Sequence, residues 1–275
     1  NDYIASGTFE ATEVMVSSEG VGKILSLNIT EGSIIKKGEI VGIIDTTQLY
    51  LKKLQILASA DAVKSRKPDI EKQIAVTEQQ IANFEIEKNR IENLMKSNAV
   101  PKKQLDDVNA QIALLKKQLV ALKSNLDIST RGLNEESNAI AIQIKQIDDQ
   151  ISKCYIKSPI NGTVLIKYAE EGEIAMQGKP LFKMADIENM YLRAYIISSQ
   201  LADIKIGQNV KVVSDYGSNK IKEYSGTVSW ISSKAEFTPK TILTKDERAN
   251  LVYATKIAVK NDGFLKIGMY GKLKK

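Results

Sequence analysis

The sequence predicts an elongated, multidomain α+β chain, a β-rich body interrupted by a long antiparallel coiled-coil hairpin. Three observations predict it. A glycine-punctuated stretch at 17–45 returns at 158–186, the residues between them have helix composition with heptad spacing, and the last third breaks into short apolar runs.

The repeat comes first. Gly22, Glu31, Gly32, Ile34 and Gly38 align without a gap on Gly162, Glu171, Gly172, Ile174 and Gly178. Within each half, Ile and Val alternate with polar residues over short runs, which reads as turn-bounded strands. The six matched glycines (Gly22, Gly32, Gly38, Gly162, Gly172, Gly178) are expected to supply positive φ at tight turns. One half has too few strands to cover its own apolar face, so the two halves must sandwich together, with the insertion leaving and returning at neighbouring points.

The insertion is expected over 47–154. Glycine is nearly missing there and Gln, Lys, Glu, Leu and Ile abound. On the return arm Leu105, Val108, Ile112, Leu115, Leu119, Leu122 and Leu126 alternate steps of three and four. The row is read onward through Ser129, Leu133, Glu136, Ile140, Ile144, Ile147 and Ile151, with a stutter around Ile140. The outgoing arm matches it with Ile70, Ile74, Thr77, Ile81, Phe84, Lys88, Ile91 and Met95. Pro68 is expected to kink that arm or start a fresh helix, and 96–101 forms the tip, with Pro101 in the first turn of the return helix. Arms of about 50 residues would carry the tip on the order of 75 Å from the body.

Beyond Asp186, the runs 191–197, 210–213, 224–231, 253–259 and 270–273 read as strands that close into a small barrel, with 3–14 alongside. Turns are expected at Gly207, Gly217 and 261–263, and helical turns at 202–207 and 244–250. The polar link 232–251 is a solvated connector or a partner-binding loop. The domains are therefore 1–14 with 187–275 (barrel), 15–46 with 155–186 (split sandwich) and 47–154 (hairpin).

Composition excludes several function classes. The chain has no histidine, which removes Ser–His and Cys–His nucleophile pairs and most zinc sites. Its single cysteine, Cys154, falls in register with Ile147 and Ile151 and is expected to pack on an apolar helix face. A net charge of +6 is spread among nearly as many carboxylates, and aromatics are only 6%, so nucleic acid is not an expected partner. No apolar run approaches the roughly 18 residues of a membrane span.

A half-motif, a long coiled-coil hairpin, the complementary half-motif and then a barrel resemble the HlyD-type periplasmic adaptors, or membrane fusion proteins, of tripartite efflux and secretion pumps. The resemblance covers nearly the whole chain. Segments 235–240, 246–253 and 268–271 resemble adaptors that often serve ABC-type exporters. The family implies lipoyl-like (barrel-sandwich hybrid) halves, oligomerisation into a funnel that is commonly a hexamer, an inner-membrane transporter below and a TolC-like outer-membrane channel at the tip. It implies a periplasmic location, with attachment to the inner membrane expected through an N-terminal anchor outside these residues. It also implies a non-enzymatic role without cofactor, since the hairpin replaces the turn that carries the modified Lys in true lipoyl and biotinyl carriers. Of the family's tip pattern Arg90 and Leu94 match, while Pro101 stands where the family has Ser. These three are the expected channel contacts. Gln177, beside Gly178, is expected to line the central pore as a related loop does in some adaptors. Two other classes remain open: a biotinyl or lipoyl carrier component of an enzyme, and a coiled-coil scaffold without a transport role.

Overall fold

Residues 3–215, 221–237 and 251–274 are described by a computed structural model, in which the chain divides into two units, 1–46 with 152–275 and 47–151. Among the described residues the strands belong to the first unit and the long helices to the second.

Along β1 (Tyr3–Ser17), Ala5, Gly7, Phe9 and Ala11 are buried and the residues between them are only half-covered, the period-two mark of a strand with one face in a core. β1 pairs with β13 (Tyr270–Lys274) on one side and β8 (Pro180–Ile197) on the other. From β13 the ladder runs to β9 (Asn209–Asp215), β10 (Ile221–Ile231) and β12 (Leu251–Lys260), and β12 returns to β8. The ring is closed, and Phe9, Leu192, Ile196, Val212, Val228, Ile257 and Leu273 fill it at 0% exposure. Closure removes the unpaired edges that an open sheet would present.

The sequence suggests a break at Asp186, but β8 runs through it. Only Ile187–Asn189 bulge out, as the register against β1 jumps from Ala11↔Met190 to Thr12↔Asp186. The Asp186 carboxylate secures the bulge by accepting the backbone N–H groups of Glu188 (3.2 Å) and Asn189 (3.1 Å). The helical turn expected at 202–207 forms earlier, as one 3₁₀ turn at Ser198–Gln200. Gly217, 244–250 and most of the link 232–251 lie outside the described residues.

The two half-motifs complete each other. β2 (Gly22–Leu27) of the first pairs with β7 (Ile174–Ala175) of the second, in register Gly22↔Ala175 and Lys23↔Ile174. β3 (Ile34–Ile35) pairs with β6 (Gly162–Lys167), in register Ile35↔Gly162 and Ile34↔Thr163, which is the same pairing with the halves exchanged. Loop bonds repeat the exchange: Gly32 N–H donates to Val164 O at 2.8 Å and Gly172 N–H to Ile24 O at 2.9 Å. Gly38 N–H donates to Ser158 O at 2.7 Å and Gly178 N–H to Ser18 O at 2.8 Å. Ser18 and Ser158, at 3% and 2% exposure, each donate a hydroxyl to the carbonyl two residues on, at 2.7 and 2.6 Å. β4 (Ile40–Ile44) and β5 (Tyr155–Lys157) pair beside β2, where the insertion departs and returns.

The matched glycines divide by cause. Gly32, Gly38, Gly172 and Gly178 have φ of 89°, 81°, 91° and 84°, which a Cβ would strain. Gly162 has no positive φ; a Cβ there would lie 2.5 Å from the Ala185 carbonyl oxygen, so close backbone approach, not turn geometry, requires it. Gly22, its counterpart, does adopt positive φ, at 149°. Cys154 also departs from expectation. The helix ends at Lys153, and Cys154 lies beyond it at 0% exposure in the body, its Sγ 3.1 Å from where a Cβ on Gly20 would sit.

Candidate functional site: the helical hairpin

The outgoing arm is two helices, α1 (Thr47–Ser65) and α2 (Ile70–Lys96), and the return arm is α3 (Lys102–Lys153). Pro68 lies in the break. α2 restarts at Asp69, whose carboxylate accepts Lys72 N–H at 3.1 Å and pairs with Lys72 Nζ at 2.6 Å. These bonds to Lys72 hold the Asp69 carboxyl below its usual pKa.

Four ion pairs fix the register between the arms: Lys53–Asp148 (2.6 Å), Arg66–Glu136 (2.6 Å), Glu78–Lys123 (3.0 Å) and Glu85–Lys116 (2.8 Å). From Lys53 to Glu85 the outgoing arm advances 32 residues, and from Asp148 to Lys116 the return arm retreats 32. The break at Pro68 therefore costs the hairpin no lasting slip. At about 1.5 Å per residue, the 52 residues of α3 run about 78 Å.

The seam differs from the sequence reading in two places. Leu49, Lys53, Ile56, Ala60 and Val63 of α1 are buried or half-buried and extend the seam below Pro68 in the same heptad phase as Ile70. The stutter falls at Leu126, not Ile140: the row steps from Leu122 to Leu126 and Thr130, then through Leu133, Ser137 and Ile140. Ser129 and Glu136 stay exposed, and Glu136 is free to meet Arg66. A carboxylate in the seam would have to be desolvated, and neutral Thr130 and Ser137 avoid that cost. Thr130 still buries a hydroxyl without a hydrogen-bond partner.

At the apex, Ser97, Asn98 and Ala99 turn the chain. The Leu94 carbonyl accepts the N–H groups of Ser97 (3.2 Å) and Ala99 (3.1 Å) and the Ser97 hydroxyl (3.0 Å). Asn98, at φ 50°, takes the left-handed position that closes a helix C-terminus. Pro101 is exposed one residue before α3, and its carbonyl accepts Gln104 N–H at 3.1 Å. Arg90 and Leu94, one turn apart, share a face of α2. The Arg90 side chain is 71% exposed and lies 3.6 Å from Glu87; Leu94 is 37% exposed. Arg90, Leu94 and Pro101 thus present a cation, an apolar side chain and a rigid ring to solvent near the hairpin's end. Gln177 is in the other unit, exposed on the turn that Lys179 N–H closes onto Met176 O at 3.0 Å.

Among the described residues no group of three or more His, Cys, Asp or Glu could hold a metal ion. Burial, with Asp45 nearby, pushes the Cys154 thiol pKa up, away from a reactive thiolate. No helix of the described residues is long and apolar enough to cross a membrane.

Residues 12–186, well over half the chain, match the family model described as the RND MFP barrel-sandwich hybrid domain. The chain belongs to the membrane fusion protein family. This membrane fusion protein is 26% identical to a UPF0194 membrane protein of Acidithiobacillus ferridurans, over 96% of the chain and 83% of the relative. It is 25% identical to a UPF0194 membrane protein of Citrobacter koseri, over 98% and 87%. In fold it is similar to MacA from Actinobacillus actinomycetemcomitans (TM-score 0.56, 20% identity, 98% of this chain and 77% of that one). It is also similar to the membrane fusion protein Spr0693 of Streptococcus pneumoniae (TM-score 0.51, 18% identity, 98% and 96%).

Proposed function

We propose that this membrane fusion protein is the periplasmic adaptor of a tripartite efflux or secretion pump, joining an inner-membrane transporter of ABC type to a TolC-like outer-membrane channel. The observation that carries the reading is the hairpin, held in one register from Lys53 to Glu85 and ending in an exposed, well-capped apex. Such a rod transmits position over distance and has no use in a catalytic pocket.

In this reading Arg90, Leu94 and Pro101 meet the channel: Arg90 supplies charge-assisted hydrogen bonds to carbonyls or carboxylates, and Leu94 a small apolar contact. Gln177 lines a pore formed by several copies, commonly six. The protein works without cofactor or catalysis and is tethered to the inner membrane by an anchor outside these residues.

The test is affinity purification of the full-length protein from cells after cross-linking at the apex. A channel protein and an ABC transporter are expected to co-purify, and Arg90→Asp with Leu94→Asp is expected to remove the channel alone. Recovery of a transporter of the RND type would replace the ABC assignment. Unchanged channel capture by the double variant would overturn the tip contact.

A further inference from the structure

In the body, a cleft of about 920 Å³ opens at the β8 bulge, lined by segments 34–36, 161–163, 186–189 and 260–263. That volume falls within the roughly 300–1,000 Å³ over which small-molecule sites are built. Asn261 fastens its floor. The Asn261 backbone N–H donates to Glu188 O at 2.9 Å, its Nδ2 donates to Ile187 O (2.8 Å) and Leu265 O (3.0 Å), and its Oδ1 accepts Gly263 N–H and Leu265 N–H, both at 3.0 Å. Two of the cleft's carboxylates are engaged as well. Asp186 accepts the bulge N–H groups and Asn189 Nδ2 (2.9 Å), and Asp262 is held by Lys222, the Tyr224 hydroxyl (3.1 Å) and Phe264 N–H (3.2 Å). Two amines and one carboxylate are left without an ion pair among the described residues: those of Lys36, Lys260 and Glu188, all exposed. Beside them Ile34 is 81% exposed, and Asn161, whose Oδ1 accepts Lys37 N–H at 2.8 Å, keeps its NH2 to donate. The fold alone does not call for these polar groups, because the gap-free repeat has Met176 at the place of Lys36 and Val21 at that of Asn161.

We propose that this cleft binds a short apolar peptide with free termini, its carboxylate taken by Lys36 and Lys260, its ammonium by Glu188, and its side chains covering Ile34 and Ile187. Charge complementarity selects the occupant. With Asp262 set against Lys222, the remaining charges are Lys36, Lys260, Glu188 and Asp186, so the cleft is close to neutral. A plain anion such as a fatty acid leaves Glu188 unmatched, and a polyamine leaves both lysines so; a zwitterion answers all three free groups. The Asn161 NH2 supplies a donor for a peptide carbonyl. Ile34 gains from any apolar side chain that takes it out of water. The floor is already bonded, so little ordering is required when the peptide enters. The inference goes beyond the adaptor reading and does not rest on the channel contact.

The test is isothermal titration of the full-length protein with trileucine, N-acetyl-trileucine and trileucine amide, repeated on variants whose circular dichroism matches wild type. Trileucine is expected to bind, and each blocked form to bind about fivefold more weakly. Lys36→Gln or Lys260→Gln should weaken trileucine about threefold and leave the amide form unchanged. Glu188→Gln should weaken trileucine and leave the N-acetyl form unchanged. Ile34→Asp should weaken all three. No heat with millimolar trileucine, or blocked forms that bind as well as the free peptide, would overturn the peptide assignment. Tighter binding of dodecanoate or spermine than of trileucine would overturn the zwitterion class. Titration reads the cleft and channel capture from cells reads the apex, so each can fail without the other.

Discussion

The body and the hairpin are held together in different ways. In the body, two half-motifs 140 positions apart are tied by reciprocal backbone hydrogen bonds and sit with a core containing many side chains at 0% exposure. In the hairpin, two arms are tied by one seam whose best-buried members, Val63 and Ile147, are still 3% and 4% exposed, with ion pairs along the flanks. Backbone exchange fixes geometry residue by residue, whereas a seam fixes only height and phase. A rod gains length at little burial per residue and is the part expected to open first.

Proline substitutions should break the comparison most strongly. Leu119→Pro with Leu122→Pro removes two seam residues and interrupts α3, at about 3 kcal/mol or more per proline. Amide exchange should become fast through 70–150 while β1, β8 and β12 keep their protection. The converse is Phe9→Ala. Emptying the barrel centre should cost about 3–5 kcal/mol, read as a lower denaturant midpoint for the body.

Sharper tests act on matched positions. Gly38→Ala and Gly178→Ala place a Cβ at equivalent left-handed turns, so each should lower body stability by about 1–2 kcal/mol, and by the same amount if the exchange symmetry is energetically real. Thr130→Val removes the seam's orphaned hydroxyl at nearly constant shape and should stabilise the hairpin by about 1 kcal/mol in thermal unfolding followed by circular dichroism. The smallest effect concerns Asp69. Its folded pKa is depressed, so its contribution is present above the unfolded value of about 4 and is lost as pH falls through the folded one. Asp69→Asn keeps a cap but should abolish that acid-side loss of helicity.

Much of the fold was legible in the sequence, and the failures have physical causes. The half-motifs declared themselves because turn glycines cannot be exchanged for other residues at Gly32, Gly38, Gly172 and Gly178. The α1 part of the seam was missed because exposed apolar Tyr50, Leu54 and Leu57, each directly after a seam residue, blur the period, while Lys53 occupies a seam position beside Asp148. The stutter was misplaced because no apolar residue stands between Leu126 and Leu133 in either phase; the partner Arg66, invisible in a linear reading, draws Glu136 outward. The bulge at 187–189 read as a break because its continuity depends on β1, far away in sequence. Arg90, Leu94 and Pro101 were singled out by resemblance alone, since exposed residues at a turn leave no pattern of their own.

The exchange of strands between the half-motifs also sets a timetable for synthesis. The first half leaves the ribosome 140 residues ahead of the second, and β2 and β3 each need a strand from that second half. At about 5–20 residues per second the wait is roughly 7–28 s, during which Ile24, Ile35 and Ile44 have no completed sheet to enter. Until the second half arrives, the unpaired edges of those strands stay open to other chains.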